Sequence, residues 1–128
     1  MKKSKTSKKV SYKNYYYMNS SEISSRNIYD VINENNEKDN YGIEFWEAAN
    51  VIEIELGEKS SIDIEQLNMF RDDEDKKFLE AHEIKVIYDI KTDTEHQEDM
   101  MKIFKSVVSK IGGFVCSDSD DFMPILIK

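Results

Sequence analysis

The sequence predicts an α+β fold with a mostly antiparallel sheet, and two stretches carry this prediction. Residues 51–56 alternate isoleucine or leucine with glutamate, the period-2 pattern of a strand with one wet face. Residues 84–128 then follow as strand, helix, strand, acidic turn and strand. Strands joined largely by hairpins and short helices favour helices on one face of the sheet. The nearest common template is a ferredoxin-like sandwich.

The C-terminal block gives the clearest local signals. Thr94 and Gln97 form a capping-box pair that predicts the start of a helix. Gly112 lies where a helix C-cap belongs. Pro124 lacks a backbone N–H, so the last predicted strand, residues 122–127, should lie at a sheet edge. Apolar residues of the predicted helix recur on one stripe at helical spacing: Met100, Phe104, Val107, Val108 and Ile111.

The first two thirds of the chain are assigned in the same way. Ser20 or Ser21 is expected to cap a short helix that ends near Asn33. Asp63 is expected to cap a helical turn that continues to Phe70. The remaining elements are strands over 10–18, 41–46 and 51–56 and a surface helix over 72–82.

Length and charge divide the chain into a basic start and an acidic body. The 128 residues suffice for one domain, assigned to residues 14–128, with residues 1–13 as a disordered basic tail. The first 14 residues contain six lysines and no acid, whereas the rest contains 12 basic and 26 acidic residues, a net charge of −14. Such a body should repel nucleic acid and anionic membranes and attract a basic partner.

Composition also limits the cellular compartment and the kinds of catalytic or metal site that can be expected. No apolar run approaches the ~20 residues of a membrane span, and no apolar segment follows the first lysines as in a secretory signal. The single cysteine, Cys116, fits a reducing compartment, so a cytoplasmic location is expected. With only His82 and His96 besides, zinc ligands are too few. No phosphate loop or nucleophile motif appears, so we predict no catalytic residue, no metal ligand and no cofactor.

The sharpest local feature is the acidic turn of Asp118, Asp120 and Asp121. Three interpretations remain open: a polar hairpin turn, an acidic patch that binds a partner, or a site for a hard cation. An EF-hand is excluded because its glycine at the sixth loop position and its closing glutamate are absent.

The same block carries a family resemblance. Gly112-Gly113-Phe114-Val115, the acidic turn and then Phe122-x-Pro124 resemble bacterial polymorphic-toxin immunity proteins. The resemblance covers about fifteen residues, and no functional residue is carried over from it. It implies a protein that neutralises a basic toxin domain, often a nuclease, through an acidic surface.

The sequence therefore predicts a non-enzymatic, acidic protein-binding module, and an immunity protein is its specific form. Tyr41 or Trp46 is assigned as an aromatic anchor, although a core position is favoured for both of them and for Phe45. A small metal-binding or enzymatic domain centred on the Asp118–Asp121 turn is the alternative, and acidity that serves only solubility is a third. The oligomeric state is left open. The predicted acidic contacts are Glu53, Glu55, Asp72, Asp73, Glu74, Asp75, Asp118, Asp120 and Asp121.

Overall fold

The computed structural model describes residues 11–36, 40–57, 60–68, 73–119 and 122–128, without the side chains of Asp73 and Glu74. The strands are β1 Tyr12–Asn19, β2 Gly42–Trp46, β3 Val51–Gly57, β4 Ser60–Leu67, β5 Val86–Asp93, β6 Phe114–Ser117 and β7 Ile125–Ile127. The helices are α1 Ser25–Glu34, α2 Asp73–Ala81 and α3 Gln97–Ile111, with single 3₁₀ turns at Glu47–Ala49 and Thr94–His96.

The strands form one antiparallel sheet in the order β2-β3-β4-β5-β1-β6-β7. This confirms the α+β prediction. The sheet is larger than the four strands of the β-α-β-β-α-β template. Tyr12 and Lys13, which the sequence assigned to the tail, pair with Asp93 and Thr92 of β5. The folded domain therefore begins before residue 14, and residues 1–10 lie outside the described part of the chain.

The main core lies between the sheet and two helices. Alternate strand residues point to opposite faces, and one face packs against α1 and α3. Fully buried side chains from both layers meet there, among them Ile28 of α1, Phe104 of α3 and Tyr88 of β5. Met100, Phe104 and Val107 are fully buried on α3, whereas Val108 and Ile111 pack as partly buried residues at the margin of this core.

The third helix lies on the other face, so the expectation of helices on one face holds only for α1 and α3. Phe78 and Leu79 of α2 pack in a second cluster with Met18, Ile87 and Cys116. Those three strand residues alternate with residues of the main core, which puts the cluster on the opposite side of the sheet. Because α2 contacts only the rows at one end of the strands, no described helix packs over the rest of this face.

The central strand β1 ties the end of α3 to the sheet. The Tyr17 hydroxyl donates to the Gly112 carbonyl at 2.6 Å, and the Asn19 side-chain amide donates to the Ile111 carbonyl at 3.1 Å. Gly112 and Gly113 both have positive φ, 81° and 85°. A Cβ on Gly113 would lie 2.5 Å from the Met18 carbonyl oxygen, so the chain passes here only without a side chain.

Two predicted helix caps are wrong by a few residues. Ser24, not Ser20 or Ser21, caps α1: its hydroxyl accepts from the Asn27 N–H, and the Asn27 side chain accepts from the Ser24 N–H. The end of β1 turns over Ser20 and Ser21, since the Ser21 N–H donates to the Asn19 side chain. Before α3, the cap is not Thr94. The Asp93 side chain accepts from the His96 N–H at 2.9 Å, and one 3₁₀ turn precedes the helix.

The predicted helical turn capped by Asp63 is also wrong, because this stretch is strand β4. Ile62 and Ile64 are fully buried and lie opposite Ile54 and Ile52 of β3. Their alternation with acidic residues is the same period-2 signal that identified β3. Phe70, the predicted end of the turn, lies outside the described residues.

The C-terminal strand is shorter than predicted but lies at a sheet edge, as Pro124 indicated. It covers Ile125–Ile127 and is the last strand in the sheet order. The Pro124 carbonyl accepts from the Ser117 N–H at 3.1 Å. In the described part of the chain, no helix combines the length and apolarity needed to cross a membrane.

Candidate functional site

Acidic side chains from four neighbouring strands gather on the open face of the sheet. In β2, β3 and β4 the isoleucines and phenylalanine point toward α1 and α3, so the intervening acids point away from the core. Asp89 follows the same rule in β5, where Tyr88 and Ile90 are buried beneath the helices. We call these six carboxylates the acidic face: Glu44, Glu53, Glu55, Asp63, Glu65 and Asp89.

The strand register places like charges directly beside one another. Glu44 is paired with Glu53, and Glu53 is paired with Asp63. On the next row, Glu65 is paired with Asp89. Side chains at directly opposed positions lie about 4.5–5.5 Å apart at Cβ, where like charges repel. Within these two rows of the described sheet, the basic residue is Lys91, which is paired with Asp63.

The tightest part of the acidic face lies near the end of β2. Glu44, Glu53 and Glu55 each place a carboxylate oxygen within 4.8 Å of the others. Gly42 makes room for this arrangement, since a Cβ there would lie 2.9 Å from Oε2 of Glu55. Oxygen ligands of this kind suit a hard cation, and they equally suit the ammonium or guanidinium group of a basic side chain.

The electrostatic effect of this crowding falls on Glu53, the central member. Partial burial raises the pKa of the Glu53 carboxyl, and the charges of Asp63, Glu44 and Glu55 raise it further. The fold therefore disfavours the charged form of Glu53. The cluster is held together by the strand register and not by mutual attraction of its side chains.

No cation of the described residues neutralises the acidic face by an ion pair. In the described ranges, Arg26 forms ion pairs with Asp30 and Glu47, and His96 forms one with Asp93; all of these lie outside the face. The Lys91 ammonium lies over the ring of Tyr12, 4.7 Å from its centroid. Asp89 is partly compensated, by hydrogen bonds from Asn14 and by the nearby charge of Lys91, whereas the other five carboxylates have no described cation paired with them.

The acidic face continues toward β1 and β6. The Asn14 side-chain amide donates to both carboxylate oxygens of Asp89, at 3.0 Å each. Burial nevertheless raises the pKa of Asp89, and the nearby charges of Asp118 and Glu65 add to the increase. Tyr16 donates a hydrogen bond to Asp118, and burial together with this contact raises the pKa of the Tyr16 phenol.

An exposed aromatic ring borders the acidic face. Trp46 shares its strand face with Glu44 because the two residues are two positions apart in β2. It lies opposite Val51 of β3, and its side chain is 47% exposed. The core position favoured by the sequence is therefore wrong for Trp46. An exposed tryptophan beside a cluster of charges is typical of binding anchors.

The predicted anchors and strand acids separate onto different sides of the sheet. Glu53, Glu55 and Trp46 belong to the same open surface. Tyr41 does not, because it packs against the main core and its hydroxyl donates to the Asp99 carboxylate of α3 at 3.2 Å. Tyr41 therefore lies apart from the acidic face, and its assignment as a binding anchor stays a prediction.

The structure describes only some of the acids that were predicted in α2 and in the C-terminal turn. Asp118 is exposed and acts electrostatically on Tyr16 and Asp89, which joins it to the acidic face. Asp75 is half-buried in α2 and also raises the pKa of Tyr16 by its charge. Asp73 and Glu74 belong to α2. Asp72, Asp120 and Asp121 lie outside the described residues, so a cation site or enzymatic site in that turn stays a prediction.

Four members of the acidic face were missed in the sequence: Glu44, Asp63, Glu65 and Asp89. Each alternates with large apolar residues in its strand, so the local signal was present. Asp63 and Glu65 were missed because β4 was taken for a helical turn. Which strands neighbour each other, and in which register, has no local signal.

Two further groups with possible chemistry, Cys116 and Asp93, are buried in the fold. Cys116 is fully buried, and burial raises the pKa of its thiol to about 12. Asp93 is buried as well, with its Oδ1 2.7 Å from Nδ1 of His96. Burial pushes the pKa of Asp93 upward, but the polar contacts of Ser60 and His96 outweigh it and leave the pKa below its usual value, while Oδ2 has no hydrogen-bond partner among the described residues. This carboxylate caps the turn before α3.

The acidic face is thus an open, multi-strand anionic surface with an aromatic border. No protein-family model, no curated protein and no solved structure matches the chain.

Proposed function

We propose that this protein is a non-enzymatic binding module that takes a basic protein surface onto its acidic face. One observation carries the proposal: six carboxylates from four strands share an open sheet face on which no described cation forms an ion pair with them. A basic partner would supply the missing positive charges. Trp46, exposed at the border, would supply apolar contact area.

The energetics of the free protein support this role. Glu53 lies among three carboxylates that disfavour its charged form. Local destabilisation of this kind is common at functional surfaces. A partner lysine or arginine would relieve the repulsion, so part of the binding free energy would come from a strain present only in the free protein.

The specific partner we propose is a toxin domain that the chain neutralises in the cytoplasm of the producing bacterium. The likeness of the C-terminal block to immunity proteins supports this choice, and so does the net charge of −8. Domains that act on nucleic acid have basic surfaces, which an acidic face would cover by charge complementarity. Electrostatic steering would also speed association.

The test uses the C-terminal domain of the protein encoded by the adjacent open reading frame as the partner. Its association with the full chain is followed by stopped-flow kinetics and calorimetry at about 50 mM and about 500 mM NaCl. We expect a rate constant that falls at least about tenfold at the higher salt. Glu44→Gln, Glu53→Gln and Asp63→Asn together should slow association at least about tenfold at low salt. Addition of EDTA should change neither value.

The matched control changes the net charge by the same three units elsewhere. Glu22, Glu34 and Glu95 are exposed residues outside the acidic face, and their replacement by glutamine should leave association nearly unchanged. Equal loss in both triple variants would mean that only net charge matters. If the adjacent gene product does not bind, or fails to lose toxicity on co-expression, the immunity role is wrong.

A further inference from the structure

Strand β2 is an edge strand of the sheet, and no other described strand pairs with its outer side. It is the first strand in the sheet order, so alternate residues of Gly42–Trp46 direct their backbone N–H and C=O groups away from β3. Natural edge strands are commonly blunted by lysine, proline or a bulge. This strand contains neither residue, and its pairing with β3 is continuous from Gly42 to Trp46.

The edge is held in place from the helix side. Phe45 stacks on Tyr29 of α1 with ring centroids 4.7 Å apart. The Arg26 guanidinium lies over Phe45 at 5.2 Å and donates to both carboxylate oxygens of Glu47, at 2.8 and 3.0 Å. A rigid, extended strand with open backbone groups is the template that β-strand addition requires.

The opposite edge of the sheet offers much less. Strand β7 has only three residues, Ile125–Ile127, and it directly follows Pro124. An incoming strand would find few backbone partners there, because a proline provides no N–H. Of the two edges described, β2 is therefore the one suited to a further strand.

Side chains beside β2 define what kind of strand would fit. Glu44 and Trp46 lie on the open face, with Glu53 and Glu55 on the neighbouring strand. Side chains of an added strand would lie about 4.5–5.5 Å from their cross-strand neighbours. Every second residue of that strand would thus face carboxylates, and basic residues at those positions would pair with them.

We propose that the edge of β2 receives an extended segment of the partner as an eighth strand, with lysine or arginine at alternate positions over the acidic face. This rests on the proposed function, because it names how a basic partner engages the acidic face. Main-chain hydrogen bonds supply affinity, and the alternate basic side chains supply selectivity.

Charge also argues against a second copy of the chain at this edge. Antiparallel self-pairing centred on β2 would bring the Glu44–Glu53–Glu55 clusters of two molecules side by side. Like charges at opposed positions are destabilising, and no described cation pairs with these groups. A basic segment removes this repulsion, whereas a second copy doubles it.

The probe is a synthetic peptide of about ten residues in which lysine and threonine alternate. Binding to the full chain is measured through the fluorescence of Trp46, the only tryptophan, and through backbone amide shifts and hydrogen exchange by NMR. We expect new protection at Gly42–Trp46 and none at Ile125–Ile127. Two further peptides are N-methylated. In the first, every lysine amide carries a methyl group, and in the second, every threonine amide does.

The effect of the methylated position distinguishes strand pairing from simple charge attraction. Only one set of amides in an added strand faces β2, so one methylated peptide should lose at least about tenfold in affinity while the other binds nearly as well as the parent. Glu44→Gln at the edge should weaken the parent peptide several-fold more than Glu65→Gln on β4. Equal affinities of the three peptides, or equal effects of the two substitutions, would overturn the edge proposal.

Other occupants give different results. Protection of the β2 amides without peptide, together with a dimer by sedimentation, would assign the edge to a second copy. Protection that disappears when the five lysines of the first nine residues are replaced by glutamine would assign it to the chain itself. Either result overturns the proposal. If the peptide binds by strand pairing but the adjacent gene product does not bind, the edge inference stands and the immunity role fails.

Discussion

Replacing Glu53 by glutamine should make the protein more stable, because the substitution removes one negative charge from a crowded cluster in a protein of net charge −8. Glu53 lies between Glu44 and Asp63 on neighbouring strands, and Glu55 belongs to the same cluster. Partial burial and these charges raise the pKa of Glu53. The glutamine side chain has nearly the same shape and no charge, so it keeps the packing and removes the repulsion.

The magnitude follows from the neighbours. A pair of like charges at opposed strand positions costs roughly 0.2–1 kcal/mol. With two opposed neighbours and a third carboxylate close by, Glu53→Gln should raise the free energy of unfolding by about 1 kcal/mol at neutral pH. For a domain of this size, that corresponds to an increase in Tm of roughly 3–5 °C.

The pH dependence of this gain has a definite sign. A raised carboxyl pKa means that the stability contributed by wild-type Glu53 is fully present below the unfolded value of about 4.3 and is lost as the pH rises through the raised value. The variant cannot acquire the charge. The extra stability of the variant should therefore be absent at acid pH, increase as the pH rises through the raised pKa, and be complete at neutral pH. It should decrease in high salt.

Urea unfolding of both proteins, at acid and neutral pH and at two salt concentrations, measures this difference. Glu47→Gln is the control with the opposite sign, because Arg26 pairs with Glu47 and lowers the pKa of that carboxyl. It should lose stability at neutral pH. A Glu53→Gln variant that is no more stable than wild type at pH 7, or that gains equally at acid pH, would refute the repulsion argument.

Two further predictions concern the C-terminal block. Gly113→Ala should lose about 3 kcal/mol of unfolding free energy, because its Cβ would lie 2.5 Å from the Met18 carbonyl oxygen at a φ of +85°. Gly57→Ala should change stability little, because no described atom beyond its chain neighbours lies within 4 Å of the added Cβ. Similar losses of the two variants in urea unfolding would contradict the steric account. Cys116, fully buried with its thiol pKa raised to about 12, should react with a thiol reagent at pH 7 only at the rate of unfolding, so rapid labelling of the folded protein would be inconsistent with its position.

The sequence was most informative where a pattern is local. The alternation of isoleucine and glutamate in 51–56 and the apolar stripe of α3 were confirmed as β3 and α3. The same alternation in β4 was overlooked in favour of a helical turn. Helix caps were displaced because the end of β1 uses Ser21 and the end of β5 provides Asp93. Such competition between adjacent elements is decided by the fold.

The candidate site was only partly predictable for a related reason. Glu53 and Glu55 were identified, and alternation places each acid on the outer face of its own strand. Their assembly with Glu44 and Asp63 depends on which strands become neighbours, and that is set by packing over the whole sheet. Tyr41, which the sequence grouped with these acids, lies apart from them because its hydroxyl donates to Asp99 of α3.

The sequence by itself determined an acidic α+β domain with strands that are apolar on one side and charged on the other, because side-chain alternation is a property of each strand alone. Only the tertiary structure decided that acids from four strands share one open face and that β2, with Trp46 exposed, ends the sheet. Strand order and register join residues far apart in the chain. They are settled by burying the apolar faces beneath α1 and α3, which leaves the like-charged side chains together on the other side.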